Sequence, residues 1–247
     1  MKYFIGNWKM FGVPRSINIL NKINYFGSKD KNRNKYRIIF TPPYTLLESF
    51  VKHFKNKRIM IGSQNCYQKD PFSSNTAAIS AHMLKKVGAK YTLIGHSDNR
   101  AEGDTDLILK NKVIFALKNN LKVIFCIGEN KLEKRKNKTF RVLKKQLKKA
   151  LERKFNKKKI IVAYEPIWSI GTGRTPKAKE LNKTIKFIKK VLKNIFKQNS
   201  PAVLYGGSVD EVNVKKFKEI DEIDGFLIGG ASKSSKKFID IIKNYYR

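Results

Sequence analysis

Cysteine, histidine and acid are all scarce in this chain of 247 residues: two Cys, three His, and 19 Asp and Glu against 54 Lys and Arg. Each shortage excludes something. Cys66 and Cys126 lie in separate segments, so there is no disulfide framework, and a reduced, cytoplasmic protein is expected. Isolated histidines, two distant cysteines and no spaced carboxylate cluster leave nothing with metal-ligand spacing, so no metal is expected. The lone pair Gly171-Thr172-Gly173 lacks the dinucleotide fingerprint, and no cofactor is expected. No apolar run reaches bilayer length, so no membrane partner is expected. Met1 to Trp8 runs straight into a strand-like pattern with no signal-peptide cleavage region. Composition does not shift along the chain and no Gly/Ser linker divides it. A single domain over residues 1–247 follows.

What is abundant is lysine. The formal charge of +35 makes a field that attracts nucleic acid or anionic lipid. The excess is spread over nearly every helix and loop, as a compositional drift would spread it. Its densest run, Lys131 to Lys159, carries Leu143, Leu147, Ala150 and Leu151 as one amphipathic stripe, so its lysines read as a solvated helix face. No specific nucleic-acid partner is expected, although a lysine-rich binder without catalysis is a rival reading. The 41% hydrophobic residues, with 16 Phe, supply enough material for a sizeable core.

That apolar material falls in a regular beat. Strand-like runs stand at Tyr3 to Asn7, Arg37 to Phe40, Ile59 to Ser63, Tyr91 to Gly95, Lys122 to Ile127, Ile160 to Tyr164, Ala202 to Tyr205 and Gly225 to Ile228. Helical patterns alternate with them, including Ser16 to Ile23, Leu132 to Leu151, Lys177 to Phe196, Val212 to Ile220 and Ser235 to Tyr245. Eight such units without hairpin signals predict an α/β fold with an all-parallel sheet covered by helices. Closed, this is an eight-stranded parallel (β/α)8 barrel; an open doubly wound sheet is the alternative.

In a barrel the residues that do chemistry gather at the C-terminal ends of strands. Glu165 stands where Ile160 to Tyr164 ends, and Pro166 stops the ladder. The apolar trio and Gly171-Thr172-Gly173 beyond it suit a closing lid over a base; taken alone, an ordinary loop carboxylate is an equal reading. Asn7 and Lys9 end the first strand, and His96 ends the fourth. A helix start at Ser97 disfavours the imidazolium and favours a neutral, hydrogen-bond-donating ring. Glycine pairs at Gly206-Gly207 and Gly229-Gly230, each followed by a predicted helix start, expose backbone N–H groups suited to phosphate. A carboxylate facing a neutral imidazole suits proton transfer beside a carbonyl: Glu165 abstracts and His96 polarises the oxygen, with Lys9 adding positive charge.

Gly6-Asn7-Trp8-Lys9-Met10, Gly95-His96-Ser97, Cys126-Ile127-Gly128-Glu129 and Ala163-Tyr164-Glu165-Pro166-Ile167-Trp168 resemble the triosephosphate isomerase family. So do Ile170-Gly171-Thr172-Gly173, Tyr205-Gly206-Gly207-Ser208-Val209 and Asp224-Gly225-Phe226-Leu227-Ile228-Gly229-Gly230-Ala231-Ser232. The resemblance runs end to end and implies the fold known as the TIM barrel. It implies interconversion of dihydroxyacetone phosphate and D-glyceraldehyde 3-phosphate through an enediol(ate), in glycolysis and gluconeogenesis. Glu165 would be the base, His96 the electrophile, and Asn7 and Lys9 would bind substrate. Backbone groups of Gly171, Ser208, Gly229 and Gly230 would hold the phosphate. Pro166-Ile167-Trp168 and Arg174-Thr175-Pro176 would be the lid hinges, with Tyr205 and Ser208 latching the closed lid. A cytoplasmic homodimer through the loop Ser73 to Ile79 is implied as well. Another phosphosugar isomerase on the same barrel is the nearest enzymatic rival.

Five departures from the family pattern carry consequences. Asp98 stands where Glu is usual, one methylene shorter, so a link to Lys9 should need a backbone shift or a water. Asn99 removes a cation. The loop Ser73 to Ser80 keeps only Thr76, Ile79 and Ser80 of its usual residues, and Phe11 replaces Asn, which puts the dimer contact in question. Pro176 should stiffen the second hinge through its fixed φ.

Overall fold

Strand residues divide by parity between two cores. Ile5, Ile39, Leu93, Ile124, Ile161, Ala163, Leu204 and Leu227 point inward and pack on one another. Their neighbours Phe4, Ile38, Phe40, Ile94, Phe125, Val162, Val203 and Phe226 point outward against the helices. Burial on both faces explains why the strands read as near-continuous apolar runs. The computed structural model describes residues 1–69 and 71–247. Its strands are β1 Lys2–Asn7, β2 Tyr36–Thr41, β3 Ile59–Ser63, β4 Tyr91–Ile94, β5 Lys122–Ile127, β6 Ile160–Tyr164, β7 Ala202–Tyr205 and β8 Gly225–Ile228. All pair in parallel with their sequence neighbours, and Tyr3 to Gly6 of β1 pair with Gly225 to Ile228 of β8. The barrel is closed, as expected, and the open sheet is excluded.

The helices are α1 Ile17–Lys29, α2 Tyr44–His53, α3 Ala81–Lys86, α4 Ser97–Ala101, α5 Asp106–Lys118, α6 Lys131–Arg135, α7 Thr139–Ala150, α8 Ala178–Phe196, α9 Val214–Phe217 and α10 Ser235–Tyr246. Two differ from the sequence reading in kind. The continuous helix expected over Leu132 to Leu151 is two helices, because Asn137 adopts φ 54° between α6 and α7. Asn tolerates this left-handed conformation better than most residues. The stripe survives: Leu143, Leu147 and Ala150 are buried on α7, and Leu151 is buried just past its end. The helix expected over Val212 to Ile220 shrinks to the single turn α9. Asp210 Oδ1 accepts the N–H groups of Val212 and Asn213 at 2.8 and 2.7 Å, a local bonding pattern that competes with helix.

Parity also aims the strand ends. Two residues beyond inward-facing Ile5 stands Asn7, and two beyond Ala163 stands Glu165. Two beyond Leu204 and Leu227 stand Gly206 and Gly229. In β4 the corresponding residue is Gly95, whose φ of 80° turns the chain so that His96 heads α4.

Candidate active site

Above the C-terminal strand ends lies a cavity of about 450 Å³, lined by Asn7, Lys9, His96, Glu165, Gly171, Ser208, Gly229 and Gly230 together. Every residue expected to act on or hold a substrate thus borders one space. Leu227, Ile170 and Lys237 border it too and were not singled out in the sequence. Lys237 is one cation among 54, with no motif to mark it.

Glu165 is 4% exposed and His96 likewise 4%. Glu165 Oε1 lies 3.4 Å from His96 Nε2. That is close enough for both to meet one small molecule and too long for a good hydrogen bond that would lock them together. Oε2 of Glu165 is buried with no hydrogen-bond partner among the described residues. A buried, unpartnered carboxylate oxygen is costly, and a functional role is one of the few reasons for such an atom. Below it, a Cβ at Gly206 would stand 2.6 Å from Glu165 Cγ, so only glycine leaves room for this carboxylate. Burial and the neighbouring Glu165 carboxylate push the Cys126 thiol well up, so the group beside the base is uncharged.

The ring of His96 has a defined tautomer. Its Nδ1 accepts the N–H of Asp98 at 3.1 Å, which requires a lone pair there. The proton of the neutral ring therefore sits on Nε2, the nitrogen facing Glu165.

Lys9 adopts φ 54°, unusual for a lysine. Two contacts hold it: its N–H donates to Asn7 Oδ1 at 3.0 Å, and its carbonyl accepts at 2.8 Å from Gln64 Nε2, which also donates to the Thr41 carbonyl at 2.9 Å. Gln64 carries no motif and was missed. The Lys9 ammonium meets Asp98 Oδ2 directly at 3.1 Å. The expected need for a water or a backbone shift is therefore corrected: the shorter aspartate reaches because it rises from the first turn of α4, with lysine spanning the gap. Arg100 ties this corner down through the carbonyls of Gly95 and Cys126 at 2.8 and 3.0 Å.

At the far end of the cavity the glycine pair after β8 leads into a 3₁₀ turn, Gly230–Lys233, and α10 begins only at Ser235. Nothing lies within 4 Å of where a Cβ would project from Gly229 or Gly230, so backbone there is open to a ligand. Ser232 donates through Oγ to the Gly229 carbonyl at 2.6 Å and fixes the turn. Trp8 Nε1 donates to the Ser232 carbonyl at 3.1 Å and joins it to the end of β1.

The matching family is triosephosphate isomerase, over residues 2–245. The chain belongs to the triosephosphate isomerase family. It is 35% identical over 245 residues to a triosephosphate isomerase of Thermodesulfovibrio yellowstonii, covering 98% of each chain. It is 37% identical over 252 residues to that of Borrelia garinii, again covering 98% of each. The crystal structure of triosephosphate isomerase from Bartonella henselae superposes with a TM-score of 0.90 at 31% identity, covering 100% of this chain and 99% of that one. The activity of the chain is accordingly triose phosphate isomerisation, an intramolecular oxidoreduction. No helix among the described residues is long and apolar enough to cross a membrane.

The segment from Pro166 to Pro176, expected from the sequence to be a lid, follows β6. Trp168 Nε1 donates to Glu129 Oε1 at 2.9 Å, and Tyr164 donates to the same oxygen at 3.2 Å. The ammonium of Lys134 sits 3.6 Å from the centre of the Trp168 ring. Glu129 was quoted within a motif, but its anchoring of Trp168 was not foreseen. Burial raises its carboxyl above the ordinary value, against the bonds from Trp168 and Tyr164. Ser169 Oγ donates to the Arg174 carbonyl at 2.5 Å and meets Tyr205 OH at 3.1 Å, so the two lid ends are joined to each other and to β7. Ser208 donates its N–H to Ser169 Oγ at 3.3 Å. In this arrangement the N–H expected to hold a phosphate is engaged by Ser169. Pro176, at the second hinge, is buried.

Proposed function

We propose that Glu165 is the base and His96 the electrophile of the isomerisation. The supporting observation is the Glu165 Oε1 to His96 Nε2 approach of 3.4 Å on one wall of the cavity, with an uncharged Nε2–H aimed inward. Pairing a Glu base with a neutral His is the arrangement for which this family is the standard example. Glu165 takes the proton from the carbon beside the substrate carbonyl. His96 donates a hydrogen bond to the carbonyl oxygen, where negative charge grows as the enediolate forms. The hydroxyl proton passes from the first oxygen to the second, with Nε2 of His96 giving a proton to one oxygen and taking one from the other, and the protonated Glu165 then returns its proton to the neighbouring carbon. Asn7 and the Lys9 ammonium bind the oxygen end. N–H groups of Gly171, Ser208, Gly229 and Gly230 hold the phosphate, Ser208 once released by Ser169. The lid from Pro166-Ile167-Trp168 to Arg174-Thr175-Pro176 closes over the intermediate and keeps out water, which protects the enediolate from losing its phosphate.

The reading extends to a cytoplasmic homodimer serving glycolysis and gluconeogenesis. Phe72, which directly precedes the loop Ser73 to Ile79 and packs on His82, is 94% exposed, and Met83 beside His82 is exposed too. Large apolar groups presented to water in one region are consistent with cover by a second copy of the chain. A coupled isomerase assay comparing the unaltered chain with Glu165→Gln tests the catalytic reading. Equal rates in the two proteins would remove Glu165 from the role of base.

A further inference from the structure

The opposite, N-terminal mouth of the barrel also holds a cavity, of about 360 Å³. Its lining includes Arg37 at the start of β2, Lys122 at the start of β5, and Lys157, Lys158 and Lys159 in the turn before β6. Lys122 lies over the Tyr91 ring at 5.5 Å from its centre, and Arg37 faces the Tyr91 hydroxyl. Lys159 Nζ donates to Asn120 Oδ1 at 2.6 Å and Lys157 Nζ to the Asn199 carbonyl at 3.1 Å, both neutral acceptors. Among the described residues none of these five cations pairs with a carboxylate. Nearby, Lys189 meets Glu222 and Asp224 at 3.3 and 3.0 Å.

The crowding leaves a mark. Burial first, then the charges of Arg37, Lys90 and Lys159, lower the Lys122 ammonium from its ordinary value. Elsewhere much of the lysine excess is solvated: Lys186 and Lys190 on α8 are exposed and line neither this cavity nor the one at the C-terminal strand ends. Here the cations line a concave, partly desolvated wall, and Arg37 and Lys122 are held by strands, so the arrangement is set before any ligand arrives. Like charges held together without counter-ions repel, and a bound polyanion relieves that repulsion.

We propose that this mouth binds a compact polyphosphate, a short chain of phosphoryl groups either free or carried on a nucleotide. A single phosphate reaches only part of the cationic arc, and a nucleic-acid duplex cannot enter a cavity of this size. An extended triphosphate meets Arg37 in a bidentate pair and the lysines as point charges.

Calorimetric titration with inorganic tripolyphosphate at about 0.15 M ionic strength, where the screening length is about 8 Å, tests the site. The unaltered chain should bind one tripolyphosphate. Lys122→Gln with Lys159→Gln should weaken binding at least about tenfold, equivalent to about 1.4 kcal/mol. Lys186→Gln with Lys190→Gln, an equal change of net charge on the exposed face of α8, should weaken it less than about twofold, and isomerase constants should stay unchanged in both. Arg37→Gln serves as an independent single variant should the first pair misfold. ATP in a parallel titration separates the sources: equal or tighter binding points to a nucleotide, weaker binding to free polyphosphate. Equal losses in the two double variants would mean only a general field. No loss in Lys122→Gln with Lys159→Gln would put the anion in the isomerase cavity. Either result, or no binding at all, overturns the proposal.

Discussion

Nε2 of His96 faces Oε1 of Glu165 at 3.4 Å, while Nδ1 of the same ring accepts the Asp98 N–H at 3.1 Å. The backbone of α4 thus fixes which nitrogen carries the proton, and the donor so defined points at the carboxylate proposed as base. Removing either group should reduce kcat far more than it alters KM. Glu165→Gln and His96→Gln should each lower kcat by about 10²–10⁴-fold, the usual range for a positioned acid or base. A coupled assay decides this, and a loss of less than tenfold in kcat for Glu165→Gln would be incompatible with its role.

The contact between Lys9 and Asp98 is direct, yet the Asp98 side chain is 55% exposed. An ion pair so wet contributes little to stability, about 0–1 kcal/mol. Its value is in holding the ammonium over the cavity. Asp98→Ala should therefore leave the melting temperature nearly unchanged while raising KM several-fold; Asp98→Glu should restore KM. A melting temperature that falls sharply with KM unmoved would make the pair a structural clamp.

The barrel was legible because its signals are local: β-branched runs, breaks between them, and chemically capable residues at strand ends. Glu165, Asn7 and the glycines after β7 and β8 could be placed because strand parity carries them inward from Ile161, Ile5, Leu204 and Leu227. What stayed hidden depended on distant partners. Gln64 supports Lys9 from another strand end, and Glu129 anchors Trp168 across 39 residues. The break at Asn137 was hidden too, because the apolar stripe keeps its spacing while the chain turns.

Glu129 supplies a pH prediction. Its carboxyl is raised by burial, so as pH increases the unfolded chain loses this proton first. Stability contributed by the group is then complete below the unfolded value and is lost as pH rises through the higher folded value. Glu129→Gln keeps an oxygen that can accept from Trp168 and Tyr164 without the buried charge. Relative to the unaltered chain, its melting temperature should improve as pH rises from below the ordinary carboxylate value. Thermal unfolding at several pH values checks this; a difference that does not vary with pH would show that ionisation of Glu129 carries no such cost.

Exposure of Phe72 at 94% gives a prediction about assembly. Phe72→Asp should shift sedimentation from dimer to monomer at micromolar concentration, with little change in the helix and strand content seen by circular dichroism. A monomer from the unaltered chain under the same conditions would refute the dimer.

Ser169 gathers three bonds on one buried hydroxyl, and the inventory of a hydroxyl assigns their directions. It has one proton, given to the Arg174 carbonyl at 2.5 Å. Tyr205 OH at 3.1 Å and the Ser208 N–H at 3.3 Å must then both donate to it, which uses its acceptor capacity. Under the proposed function this serine joins both ends of the lid to β7 and competes with phosphate for the Ser208 N–H. Ser169→Ala should cost about 1–3 kcal/mol of stability by stranding buried partners. It should also lower kcat/KM roughly tenfold, the effect of losing about 1.4 kcal/mol from the closed lid. Inhibition by inorganic phosphate should stay equal or become tighter, because the Ser208 N–H is released. Ser169→Thr, which keeps the hydroxyl, should recover kcat/KM if the added methyl is accommodated. A parallel weakening of phosphate inhibition and kcat/KM in Ser169→Ala would mean that Ser169 shapes the phosphate site itself, and the competition between lid and phosphate would have to be abandoned.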